Sequence, residues 1–294
     1  MTGPAPRHLH RLFAPSWAFG RVPSRPSVVA RHPVTAFLVL VFAITVPLEF
    51  VPMPDAAHGP AENVLGAALP AVVVTGLASG RDGVRDLVRR TLRWRVPLRW
   101  YAVALLGLPL VQLVLAPALY GSPPLRTLAE NWPRVVTAYL PLLAFMVLLN
   151  NVAEEAGWTG FLFARLQDRR GALRAAFLTS VPFVAWHLVS FVHDTGSVIA
   201  GLAVMGYFLL PLVASRVVVA WLYNASGASV LIPGLFHATF NATGNPHGLG
   251  DAVLGLPSGE VQFVLGAVVI IVAVAVALAT RGRLGRPRTS GSDV

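Results

Sequence analysis

The chain carries eight apolar runs, at roughly 34–53, 63–80, 100–120, 134–153, 174–193, 199–222, 228–243 and 261–280. A helix needs roughly 20 apolar residues to cross the hydrocarbon core of a bilayer. With no water to satisfy backbone N–H and C=O groups there, runs of this length are compatible only with helix. The runs at 63–80 and 228–243 are short for a span, so the expected count is about eight. Only 12% of the 294 residues are charged and 55% are hydrophobic, against about 25% charged in a soluble domain. The expected fold class is all-α, a polytopic integral membrane helical bundle.

Arginine sets the expected topology. The basic side chains are all arginine, and most stand beside apolar segments. Positive charge collects in cytoplasmic loops. Residues 81–99 hold Arg81, Arg85, Arg89, Arg90, Arg93, Arg95 and Arg99; the next such segment holds Arg165, Arg169 and Arg170; the C-terminus holds Arg281, Arg283, Arg286 and Arg288. The alternate loops hold Asp55, Glu62, Glu130, Asp194 and Asp251, opposed by Arg126 and Arg134. Both termini are therefore expected in the cytoplasm. Val84, Leu87, Val88 and Leu92 recur at helical spacing between arginines, which predicts an amphipathic helix on the inner membrane surface.

The expected organisation is a disordered basic tail at 1–32, one membrane domain at 33–280 with its core at about 134–245, and a basic tail at 281–294. The net charge of +10 fits an anionic membrane face, and no pattern for nucleic acid accompanies it. Membrane lipids are the expected partners, with no nucleic acid. The tail has no apolar core of its own, so it does not read as a cleavable signal peptide. Without cysteine there is no thiol nucleophile, disulfide or thiolate metal site. The arginine-only, Ala- and Val-rich composition points to a bacterium of high GC content, and the expected location is its plasma membrane.

Glu154 and Glu155 end the fourth run. An acid at mid-membrane costs about 2.5–3.5 kcal/mol on insertion scales, so such residues face a bundle interior and are functional candidates. The bland reading is that they neutralise Arg165 or Arg169. Further polar residues argue against it. The fifth run contains FVAWH, with Phe183 and His187, and the seventh contains FHATFN, with His237 and Asn241. Each pair is spaced i, i+4 and shares a helix face. Glu154 lies 11 residues before Arg165, His187 lies 13 after Arg174 and His237 lies 9 after Ala228. At 1.5 Å per residue the depths are about 16, 20 and 14 Å from the inner helix ends, which points to one site.

A carboxylate in low dielectric is a stronger base and can take a proton from water, and a neutral imidazole beside it can orient that water. A second imidazole and an amide can donate to the oxyanion of a tetrahedral intermediate. The same side chains can alternatively hold Zn²⁺ with an activated water. Other protease patterns are weaker. HExxH is absent. GLGD at 248–251 lacks a second intramembrane Asp, and GASV at 227–230 offers Ser229 without the second glycine of a serine loop.

EEAGWTGFLFARLQ, FVAWH and FHATFN, in this order at the fourth, fifth and seventh runs, resemble the CPBP/Abi family of intramembrane proteases, which includes Rce1-like CAAX prenyl endopeptidases. The resemblance covers roughly residues 134–245. It implies a membrane endopeptidase cleaving a peptide bond near the cytoplasmic leaflet of a membrane-anchored or peptide substrate. It implies that Glu154 and His187 activate water, that Glu155 supports the site, and that His237 and Asn241 form the oxyanion hole. The family has been read both as metalloendopeptidases and as glutamate-dependent proteases. No cofactor is required on the second reading; on the first, Zn²⁺ would be held by Glu154, His187 and His237. The family's motif has Arg after three intervening residues beyond the double Glu, where this chain has Thr159. Trp158, Phe161 and Phe163 are expected to pack, and His193 and His247 to lie in loops. Arg216, midway along the sixth run, either pairs with Glu155 or snorkels. The alternative function is a non-catalytic scaffold or immunity protein, or a proton or ion carrier; a carrier would need polar residues leading to both faces.

Overall fold

A computed structural model describes residues 27–54 and 59–286. Eight helices correspond one to one with the eight apolar runs: α1 Pro33–Leu48, α2 Gly59–Thr91, α3 Leu98–Tyr120, α4 Val135–Arg170, α5 Ala172–Thr195, α6 Val198–Ala225, α7 Leu231–Gly244 and α8 Ser258–Ala279. Six of them are long and apolar enough to cross a membrane; α1, with 16 residues, and α7, with 14, are shorter. The bundle is all-helical and polytopic, as expected, with six such spans among the described residues.

Helix α2 runs on through the expected surface helix. Gly80, at φ 65° and ψ −163°, bends it between the apolar part and the arginine-rich part. Positive φ is cheap for glycine, which has no Cβ. Beyond the bend the inward face is Gly83, Asp86 and Leu87, with Arg90 turned in beside them. Val88 and Leu92 are exposed, so the buried stripe differs from the expected one. The reason is Arg90. Its guanidinium binds Asp86 at 2.9 Å, the carbonyl of Gly160 at 2.9 Å and the Tyr223 hydroxyl at 2.9 Å, and so ties α2 to α4 and α6.

Helix α4 has 36 residues, about 54 Å at 1.5 Å per residue, which exceeds a bilayer core. It relaxes into π-type turns at Val135–Tyr139, Met146–Asn151 and Ala156–Phe163. Such wide turns often accompany functional sites, and here two of them flank Glu154 and Glu155.

The arginine-rich segments gather at one end of the bundle. Val230 N–H donates to Arg90 O, Ser229 Oγ to Arg93 O, Leu173 N–H to Gly282 O, and Arg286 binds Asp168 at 2.8 Å. The expected tail beyond 280 therefore begins by packing back on the bundle: Leu284 is fully buried, and Arg286 also donates to Gln167 O. At the other terminus, Val28–Arg31 form a short helix capped by Ser27 within the expected tail. Residues 1–26, Asp55 and Arg288 lie outside the described residues. Glu62, expected in an outer loop, is buried in the first turns of α2.

Candidate active site

Glu155 is fully buried and a buried carboxylate needs partners. It has three. Arg216 of α6 grips it in a fork, Nη1 to Oε1 and Nη2 to Oε2, both at 2.8 Å. The Thr159 hydroxyl, one turn further along α4, donates to Oε2 and itself accepts from Arg216 Nη2 at 2.7 Å. His237 Nδ1–H donates to Oε1 at 2.9 Å. The fork geometry pairs two parallel donors with the two carboxylate oxygens. Of the two readings open for Arg216, pairing is the one observed. Its guanidinium also lies 4.5 Å from the centre of the Phe183 ring, on the negative face that attracts cations.

Glu154 has a different environment. It is 3% exposed. Its Oε2 accepts from Asn151 Nδ2 at 3.2 Å and lies 3.8 Å from His237 Nδ1. Its Oε1 is buried with no hydrogen-bond partner in the protein. An orphaned buried acceptor is uncommon and calls for an explanation.

His187 sits one helical turn beyond Phe183 on α5. Its Nδ1 lies 2.9 Å from the Phe183 carbonyl oxygen. A carbonyl only accepts, so the proton is on Nδ1 and Nε2 of the neutral ring keeps its lone pair. Phe183 and Trp186 pack the ring at 4.4 and 5.0 Å between centroids.

His187, His237, Asn241 and Arg216 line one cavity of about 520 Å³. His237 and Asn241 share a face of α7, as their spacing predicts. The two acids lie behind His237 and Arg216 rather than on the cavity lining. Thus His237 Nδ1 stands 2.9 Å from Glu155 and 3.8 Å from Glu154, and His237, Asn241 and His187 meet at the cavity.

Among the described residues no three His, Asp or Glu side chains converge as metal ligands would. His237 turns Nδ1 to Glu155, and His187 turns Nδ1 to a backbone carbonyl. Nε2 of each ring stays free, and Glu154, His187 and His237, the three residues expected for Zn²⁺, are not gathered as one cluster among the described residues.

The weaker candidates fall away from this site. Ser229 is buried in the loop before α7, bonded to Arg93 O and capping Ile232 N–H. Asp251 lies in a short helical turn, Leu249–Val253, beyond α7. Trp158, Phe161 and Phe163 are packed in the core, at 0%, 0% and 2% exposure. His193, expected in a loop, lies instead in the last turns of α5 with its ring edge-on to Phe50, and His247 is exposed after α7.

Some buried polar residues near the site escaped the sequence reading. Glu49 is 2% exposed and accepts from Ser190 Oγ at 2.5 Å. Asn63 Nδ2 donates to Asn150 Oδ1 at 2.6 Å. The available signal was an acid at the end of the first run and an NN pair just before the double Glu.

Comparison with known proteins bears on the same segment. Residues 136–243 match the family model described as type II CAAX prenyl endopeptidase, Rce1-like. A protein named CAAX prenyl protease 2, from Methanococcus maripaludis, is 27% identical over 113 residues. That alignment covers 36% of this chain and 40% of the relative. Both matches name CAAX prenyl proteases, and the family match spans the segment that carries Glu154, Glu155, His187, His237 and Asn241.

Proposed function

We propose that the chain is a membrane endopeptidase, a reading supported by the match of residues 136–243 to the Rce1-like family model and by the cavity this segment lines. It hydrolyses a peptide bond with water activated by Glu154 and His187. One observation carries the division of labour between the acids. Glu155 is saturated by Arg216, Thr159 and His237, whereas Glu154 keeps a bare acceptor oxygen. A base must have a free lone pair, and of the two acids Glu154 is the one that keeps it, just behind the His237 wall of the cavity.

In this mechanism the water oxygen attacks the peptide carbonyl carbon while one water proton passes to Glu154. His187 Nε2 accepts a hydrogen bond from the same water and orients it. The carbonyl oxygen becomes an oxyanion, and the Asn241 amide donates to it. His237 joins as a second donor through Nε2–H, in the imidazolium form, with Nδ1–H kept on Glu155. The C–N bond then breaks, and the proton held by Glu154 passes to the amine. The products are a carboxylic acid, which then gives its proton to solvent, and an amine. Glu155 and Arg216 fix the His237 ring. No step is routed through a metal, because the donors do not converge.

The substrate is a membrane-anchored or exported peptide in the plasma membrane of a bacterium. A prenylated peptide is not needed to fill an apolar cavity lined by Phe183, Phe191, Phe208 and Phe240. The carrier reading draws on Glu49 and Glu62 but needs a polar route to both faces, and the Trp158–Phe163 layer interrupts it.

The test compares membranes containing wild type with membranes containing Glu154→Gln at matched protein levels. Peptide termini are mapped by mass spectrometry in both. Termini present only with wild type support the hydrolase; identical maps in the native host sink it.

A further inference from the structure

The cavity has a direction. Its buried floor is Arg216 and Val219, 3% and 2% exposed. Its rim includes Asp194 and Pro246, both exposed, with half-buried Asn245 and Gln262. Asp194 lies in the last turn of α5, Asn245 and Pro246 follow α7, and Gln262 is in the first turns of α8. Helices α5 and α7 begin at the arginine-rich end, and α8 ends there. The rim is therefore at the opposite end of the bundle.

The way to the arginine-rich end is closed. Directly beyond Glu155, α4 contributes Trp158, Phe161, Leu162 and Phe163, none more than 2% exposed. Arg90 then ties Gly160 to Tyr223, bolting three helices together below them. Close-packed aromatic layers leave no passage for water or peptide.

We propose that the site is reached from the arginine-poor face, and that this face is extracytoplasmic. The second part follows from the positive-inside bias of the arginine segments, which the fold gathers at one end. This departs from the expected cleavage near the cytoplasmic leaflet. Resting on the hydrolase reading, it names the substrate class: peptide segments presented from the outer half of the membrane, such as exported or extracytoplasmically anchored chains.

The native chain has no cysteine, so one introduced thiol is unique. Ser215→Cys places it on the cavity wall and Gln262→Cys near the rim; His247→Cys and Arg170→Cys mark the two faces. Each full-length variant is exposed to a small, membrane-impermeant, negatively charged thiol reagent in right-side-out and in inverted vesicles. Denatured samples confirm that the thiol is present. The expected result is at least tenfold faster labelling of Ser215→Cys and Gln262→Cys in right-side-out vesicles, matching His247→Cys and opposite to Arg170→Cys. Cavity thiols that follow Arg170→Cys, react from both sides, or react from neither overturn the access route. His247→Cys labelled only in inverted vesicles overturns the extracytoplasmic assignment. Labelling does not depend on catalysis, so a chain reached from outside that cleaves nothing would sink the hydrolase reading and leave the route standing.

Discussion

Arg216 and Glu155 stand on different membrane helices, 61 residues apart in the chain, and meet through two parallel 2.8 Å hydrogen bonds. The family motif carries an arginine at the position of Thr159. In this chain a guanidinium arrives from α6 instead, and the Thr159 hydroxyl joins it to the carboxylate. The charge of the buried acid is thus balanced from α6.

This relationship can be tested by moving the arginine. Arg216→Met leaves Glu155 buried without its counter-charge, which costs about 3–5 kcal/mol. The expected outcome is a lower unfolding temperature in detergent and loss of cleavage. Thr159→Arg combined with Arg216→Met should restore part of both. A double variant as unstable and inactive as the single one would show that the position of Arg216, and not its charge, matters.

The two acids should respond differently to amide substitution. Glu154→Gln removes a base and should lower the cleavage rate by about 10²–10⁴-fold, the range of general-base contributions, with unfolding temperature little changed. Glu155→Gln disrupts the bond to Arg216 and should lower stability as well as rate. Measuring both quantities on both variants checks the assignment; equal stability losses would refute it.

Gly157 permits a close approach of two helices. A Cβ there would lie 2.7 Å from the Ala67 carbonyl oxygen and 2.9 Å from its carbon. Backbone atoms do not yield, so Gly157→Ala should destabilise by about 1–3 kcal/mol. At Gly160 the nearest atoms are side-chain methyls of Leu87 and Val230, at 3.0 and 3.1 Å. These can shift, so Gly160→Ala should cost less. Thermal unfolding of the two variants in one detergent decides the order.

Chelation gives a separate check. Because Glu154, His187 and His237 do not converge as ligands, cleavage should persist after dialysis against EDTA and with 1,10-phenanthroline. Activity lost to chelators and regained with Zn²⁺ would require a rearranged site.

The sequence alone determined the parts that depend on local pattern. Run lengths marked the eight helices, and i, i+4 spacing put His237 and Asn241 on one face. The three motifs located the site, because costly polar groups in apolar helices must face one another. Arginine placement foretold which segments gather at one end. Tertiary structure alone decided which charges meet. Arg216 pairs with Glu155, Arg90 turns inward, and Glu62 is buried in a helix although the sequence put it in a loop. Only the packed bundle also showed that the cavity runs away from the arginines. Periodicity is set within a few turns of one helix, whereas the partner of a buried charge and the direction of a cavity are set by contacts between helices far apart in the chain.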